Sequence, residues 1–504
     1  MRNARRVVLF IVFVLVAICA NAQRFTLEQV MSSPFPSDLV AAGKADRAAW
    51  VFASRGVRNV WVADAPDFRA RQVTHYSQDD GQAIVSLRVT PDGKTLVYAR
   101  GSEVNEEVQV ANPASATTAP KQQAWAVEVE GGKEPRLLGD IECPEEGCED
   151  IQISPDGAQA VWVAKKAREL WIAPVSGDKP ARKLLDIRGE SGSPRWSPDG
   201  KQLAFVSLRK DHSFIVVYDF ASNSLRYLAP TSSKDSMPRW SPDGKRILFV
   251  RAPGTQLKRA LIPVYPEPWS LWVADIATGN GRQIWQSGNR EADSLPELTE
   301  DVSLQYAADE RIVFGSEQDG RNHLYSISAN GGQPTPLTAG NYDVEDVTLS
   351  SDKKSIIYSS NQFTNDPQDE DRRHLWRVNI AGGTPQQLTK GETMEWSPVD
   401  LPQSRQVLCL GSTATTPAMP YRVTSNGREM IAASTLPADF PSRQLVVPQQ
   451  VTFKSDDGLT IHGQLFVSRN KPASGRMPAL IFTHGGPIRQ MMLGFHYMYY
   501  YHNA

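Results

Sequence analysis

Residues Pro478–Pro487 read PALIFTHGGP, an apolar run that ends in His484-Gly485-Gly486-Pro487. The run has the length and composition of a buried strand. At its end two glycines lack the Cβ that would hold a reacting group away from the backbone. Their N–H groups can approach a developing oxyanion, and acyl transfer is the chemistry that needs such donors. Gly485 and Gly486 are thus the candidate oxyanion donors, with His484 and Pro487 shaping the loop. A nucleophile, a base and an orienting acid should accompany them. No Ser follows Gly486, and no earlier Ser has the Gly-x-Ser-x-Gly setting that exposes a nucleophile on a sharp turn. His496 and His502 fall in or beside the aromatic run Phe495–Tyr501, which reads as the start of a helix. The sequence therefore assigns no catalytic residue.

Other reactive side chains are few. Cys143-Pro-Glu-Glu-Gly-Cys148 can close a small loop through a disulfide, the alternative being two free thiols. Cys409 lies in the apolar run Val407–Leu410 and reads as buried. No Cys/His spacing matches a zinc site, and no metal or organic cofactor is implied. Glu103, Glu106 and Glu107 form an acidic group suited to a cationic substrate terminus, or simply a solvated loop. Asn365–Arg373 (NDPQDEDRR) reads as a solvated charged hairpin tip.

The elements that must position these residues announce themselves by repetition. Pro194–Phe205, PRWSPDGKQLAF, recurs at Pro238–Phe249 as PRWSPDGKRILF. Pro, Asp and Gly supply successive turn positions, and apolar strands flank them. Each unit continues with a second hairpin, such as Leu271–Asp275 with Arg282–Ile284, or His374–Val378 with Gln386–Thr389. Four strands at a period of about 40–45 residues predict a β-propeller. Turn positions near Gly43, Thr90, Ser154, Ser197, Ser241, Tyr306, Ser350 and Ser397 predict eight blades, with seven as the alternative count. Nine Trp residues at recurring positions (Trp50, Trp61, Trp162, Trp171, Trp196, Trp240, Trp272, Trp376 and Trp396) read as core. Two stretched spacings mark loops where binding can reside, one carrying Gly101–Gln123 and the Cys143–Cys148 loop, the other Ala252–Pro268 with Arg259, Tyr265, Glu267 and neighbouring Trp269.

The ends differ from the middle. Arg2, Arg5 and Arg6 precede the apolar run Val7–Ala20, and Ala20-Asn-Ala22 is a cleavage site. Residues 1–22 are therefore expected to be a signal peptide for export, to the periplasm of a bacterial cell, with no membrane contact beyond that signal. Residues 23–40 form a lead-in, with Thr26 and Gln29 at capping-box spacing. The propeller is expected over 41–440. Residues 445–504 begin a different pattern, with a hairpin from Gln450–Lys454 through Ser455–Gly458 to Leu459–Val467. Charged residues are 22% with both signs nearly balanced, which excludes a nucleic-acid binder.

The ordered set of export signal, SPDG repeats, IHG hairpin and HGGP resembles the prolyl oligopeptidase family of serine peptidases, in particular its dipeptidyl-peptidase and acylaminoacyl-peptidase-like members. The resemblance covers Gln23 to Ala504. It implies a propeller that admits oligopeptides to an α/β-hydrolase domain of which 445–504 is the first part, with Gly485 and Gly486 in the oxyanion loop. It also implies that the nucleophile, acid and base belong downstream of HGGP, so the chain ending at Ala504 is expected to be a truncated, inactive piece. The competing expectation is a non-catalytic periplasmic propeller, similar to that of TolB-like proteins, which binds a peptide or protein partner.

Overall fold

The computed structural model describes residues 25–101, 110–141, 151–164, 168–254, 266–296, 302–363, 366–468, 476–483 and 490–495. Eight four-stranded antiparallel sheets account for most of it, each built from four consecutive strands, a to d, in that spatial order. Blades 1 to 8 span 35–72, 84–140, 152–183, 190–228, 234–286, 305–336, 344–387 and 393–430. Eight, not seven, is therefore the blade count.

Burial of one aromatic layer organises the blades. Strand b places Trp50, Tyr98, Trp162, Phe205, Phe249, Phe314 and Tyr358 at equivalent positions in blades 1 to 7, all fully buried. Blade 8 has Cys409 in that place, opposite Tyr421. Several face an aromatic across strand c, as in Trp50 opposite Trp61, Trp162 opposite Trp171 and Tyr358 opposite Trp376. Such side chains each contribute roughly 1.5–3 kcal/mol by burial. The two Trp residues of the PRW repeats do something else. Trp196 Nε1 donates to Gln152 O at 3.3 Å and Trp240 Nε1 to Arg195 O at 2.9 Å, so each pins its blade to the one before.

The Ser-Pro-Asp-Gly turns close by one repeated set of bonds. The hydroxyls of Thr90, Ser154, Ser197, Ser241 and Ser350 donate to the carboxylate two residues on, at 2.5–2.7 Å. The same oxygens accept from the backbone five residues on, at 2.9–3.0 Å. The hydroxyl donors hold the Asp156, Asp199 and Asp243 carboxyls below their usual range. In blade 8 the turn is displaced from its expected place. Its closing bond runs from Leu401 N to Gln406 O, while Ser397 sits inside strand Thr393–Asp400 at a bulge.

That bulge is itself a repeat. Asp38, Ser86, Ser193, Met237, Asp346 and Ser397 each have φ between 47° and 55° at a register shift in strand a. Each lies four residues before the residue that closes its turn. A left-handed non-glycine residue costs on the order of 1 kcal/mol, and the bulge bends the innermost strand.

The ring closes between blades 8 and 1 without exchanging a strand. Leu39, Trp50 and Phe52 pack with Leu408, Leu410, Met419 and Tyr421, and Asp46 accepts from Gln403 N at 2.8 Å and Ser404 N at 2.6 Å. The lead-in helix Leu27–Val30 carries the expected capping box. Strand a of blade 1 already starts at Phe35, inside the segment expected as lead-in. Pro36 is tolerated there because strand a is the inner edge strand and needs no donor on its open side.

After the propeller, strands Gln449–Lys454 and Thr460–Leu465 form the expected hairpin. The expected strand over Pro478–Thr483 is different: its described residues are irregular and open, with Leu480 92% exposed. No strand among the described residues pairs with it, and an apolar run becomes a strand only against a partner.

Candidate functional site

Antiparallel order puts the a–b and c–d turns of every blade on one face and the b–c loops and blade connections on the other. The turn face is occupied by its own hydrogen bonds. Two cavities there, of 710 Å³ between blades 2 and 3 and 460 Å³ between blades 4 and 5, are one interblade crevice repeated. Glu128, Arg136 and Gly157 in the first match Asp219, Arg226 and Gly244 in the second. Such a crevice follows from the architecture and marks no ligand.

The loop face is where the chain after the propeller docks. There the 3-10 helix Pro367–Asp371 of blade 7 is capped by Asp366, whose carboxylate accepts from Gln368 N at 2.9 Å. Asp371, 3% exposed, accepts from Gln450 Nε2 at 2.6 Å and Gln490 Nε2 at 2.9 Å. Arg373, 5% exposed, makes a bidentate pair with Glu345 at 2.8 and 2.9 Å, and its Nη2 also donates to Gln490 Oε1 at 2.8 Å. Arg372 pairs with Asp366 and Asp369, both at 3.0 Å. Behind them, the fully buried Glu395 accepts from Thr389 Oγ1 at 2.6 Å, lies 3.2 Å from His374 Nδ1 and pairs with Arg428 at 2.9 Å. The sequence reading of Asn365–Arg373 as a solvated tip is thereby corrected. Asp366–Gln368 are exposed as expected, but Asp369, Asp371, Arg372 and Arg373 are buried, and each of these four charges is held by an ion pair or a charged hydrogen bond.

The channel wall is charged unevenly. Arg88, Arg195 and Arg239 sit two residues past the bulge in blades 2, 4 and 5, and Nη1 of each donates to the carbonyl of the preceding residue. Across the ring, blade 7 presents Glu345 and Asp346. Surrounding protein raises the Asp346 carboxyl, the Glu345 charge adding to it. Such a wall can meet opposite charges on an extended chain.

The sequence-predicted site residues fare as follows. His484, Gly485, Gly486 and Pro487 lie outside the described residues, as do Cys143, Cys148, Glu103, Glu106, Glu107, Arg259 and Tyr265. Trp269 is core, packed on Trp285 and Phe314. Cys409 is a buried free thiol, and burial pushes its pKa well up. Sequence reasoning missed Asp371, Arg373 and Gln490. The available signal was a pair of arginines directly before a strand, His374–Asn379, where an isolated tip would have no reason to end in two cations.

A family model described as the TolB beta propeller domain matches residues 151–257. One described as the dipeptidyl peptidase IV N-terminal region matches 270–419. Over 143 residues the chain is 34% identical to the "uncharacterized peptidase YuxL" of Bacillus subtilis (strain 168), a match covering 27% of this chain and 19% of that protein. Among solved structures, a prolyl endopeptidase aligns with a TM-score of 0.51 and 10% identity, over 90% of this chain and 57% of that one. A mutant puromycin hydrolase complexed with PGG aligns with a TM-score of 0.51 and 13% identity, over 87% and 59%. The chain thus spans less than two thirds of the length of these relatives. The two models, the peptidase relative and the shared fold agree with the blade architecture: this chain carries a β-propeller similar to the TolB propeller and to the N-terminal propeller region of dipeptidyl peptidase IV.

Proposed function

We propose that the protein is a secreted serine-type peptidase that hydrolyses oligopeptides, with its propeller admitting extended peptides and rejecting folded proteins. Residues 1–22 act as the export signal, 23–34 as the lead-in, and 445–504 as the first part of an α/β-hydrolase domain. Gly485 and Gly486 supply oxyanion donors in that domain, His484 and Pro487 shape the loop, and the nucleophile, acid and base lie further along the natural polypeptide. The observation that carries the reading is order along the chain: an eight-bladed ring, then directly the Gln449–Leu465 hairpin, then HGGP. The match to the dipeptidyl peptidase IV N-terminal region supports it. So does the likeness to a puromycin hydrolase held with PGG. The test is hydrolysis by the native protein of a graded set of peptides of about 4 to 60 residues alongside a folded protein of the same composition. Cleavage should stop at the longer lengths and spare the folded protein. Equal cleavage of all of them would defeat the filter, and cleavage of none would defeat the peptidase reading.

A second reading, a non-catalytic propeller that binds a peptide or protein, draws on the TolB match over 151–257. It predicts unchanged partner binding by a chain ending near Pro437 and no hydrolysis by the native protein.

A further inference from the structure

Blade 7 grips the chain just beyond HGGP. Gln490 is three residues past Pro487. Its amide is oriented by three partners at once: Oε1 accepts from Arg373 Nη2 at 2.8 Å, and Nε2 donates to Glu370 O at 3.0 Å and to Asp371 Oδ1 at 2.9 Å. Turning the amide over would set its nitrogen against a guanidinium and its oxygen against a carbonyl and a carboxylate, so one orientation is fixed. Two backbone bonds extend the grip, Leu493 N to Asp371 O at 2.9 Å and Phe495 N to Thr413 O at 2.7 Å. Phe495 then packs with Phe440, Leu445 and Val30, which ties in the lead-in helix. The other end of the same guanidinium is held by Glu345, on the channel-lining strand Val344–Leu349.

We propose that Asp371 and Arg373 are positioning residues: with Gln490 they form a clamp by which blade 7 fixes the chain leaving His484–Pro487 relative to the channel wall. The inference rests on the peptidase reading for its consequence but not for its geometry. A loop that must place backbone N–H groups within a few tenths of an ångström needs support of this kind, and Gln490 and Leu493 are the points where the propeller supplies it. Arg373 transmits the position because it is bidentate at Glu345 and donates to Gln490 from the same planar group.

The test is a charge swap read by amide hydrogen exchange. Gln490→Glu keeps an acceptor for Arg373 but sets a carboxylate against Asp371 and Glu370 O. It should speed exchange of the Leu493 and Phe495 amides at least tenfold while amides of blade 4 keep their protection. Adding Asp371→Asn restores a donor opposite the introduced carboxylate, with the new amide oxygen still accepting from Gln450. The double variant should return exchange to within about threefold of the unchanged protein. The clamp is wrong if Gln490→Glu exchanges within twofold of the unchanged protein, if the swap gives no rescue, or if blade 4 loses protection as well. In the native protein the same Gln490→Glu should lower kcat on peptides about tenfold with KM within twofold, again with rescue by Asp371→Asn. Full kcat alongside lost protection would refute the positioning role. Absence of any hydrolysis before substitution would sink the peptidase reading alone, leaving exchange to judge the clamp.

Discussion

Asp235 and Arg251 make the most exacting test of how the blades are held. They face each other in register across strands a and b of blade 5. Arg251 Nε and Nη2 reach the two carboxylate oxygens at 2.7 and 2.9 Å, and Nη2 also reaches Ala229 O at 2.6 Å on the link from blade 4. The guanidinium lies 4.3 Å from the centre of the Trp272 ring. The Asp235 side chain is fully buried and the Arg251 side chain 7% exposed. Burial pushes the Asp235 carboxyl up even though Arg251 pulls it back, so desolvation outweighs the pair. Asp235→Ala leaves a buried cation with Ala229 O and the Trp272 and Phe249 rings as its remaining partners, a loss of about 3–5 kcal/mol. Asp235→Leu with Arg251→Met removes both charges, and about 1 kcal/mol or less should separate it from the unchanged protein. Urea unfolding followed by tryptophan fluorescence reads both. A loss under about 1 kcal/mol for Asp235→Ala, or a double variant as damaged as the single one, would refute the reasoning.

Further outcomes follow from the same contacts. Ser197→Ala removes a buried hydroxyl that bonds Asp199 and Gln202 N, and should cost about 2 kcal/mol by urea titration; Ser455→Ala, in the same motif on the exposed hairpin, should cost less than about 1. Asp46→Ala removes the acceptor for Gln403 N and Ser404 N and should lower the melting temperature while leaving the aromatic core of blades 3 to 6 intact by near-ultraviolet circular dichroism. Asp156, Asp199 and Asp243 titrate below their ordinary value, and Asp219, held by Ser222 N–H and Gln202, goes down to about 2. Their stabilisation is therefore present above about pH 4 and lost as pH falls through the folded values toward about 2. Asp235 and Asp346 act with the opposite sign, since protonation favours their folded form. A melting temperature that rises on acidification from about pH 4 to about pH 2 would contradict the dominance of the turn carboxylates.

The propeller was legible because its period is written in local chemistry. Ser-Pro-Asp-Gly closes a turn by bonds within five residues, and the apolar strand after it buries one aromatic, so each unit can be read alone. Where the local motif decays the reading slips: blade 8 has Ser397-Pro-Val-Asp400 in a strand, and its turn falls at Leu401–Gln406. The bulges left no residue-type signature, since Asp38, Ser193 and Met237 share only a backbone conformation. The polar interior of blade 7 was illegible for another reason. Asp366–Arg373 has the composition of a solvated tip, and only partners far along the chain, such as Glu345, Gln450 and Gln490, bury its second half from Asp369 on. Single-sequence periodicity says nothing of such contacts.

The central claim is that this propeller serves a serine peptidase. Native protein from the cells that make it should be treated with a fluorophosphonate probe, and the modified residue located by peptide mapping. The account predicts one modified Ser, downstream of Pro487, on the same polypeptide as peptides from blades 5 to 8. A modified Ser within residues 25–437, or no modification at all, would contradict it.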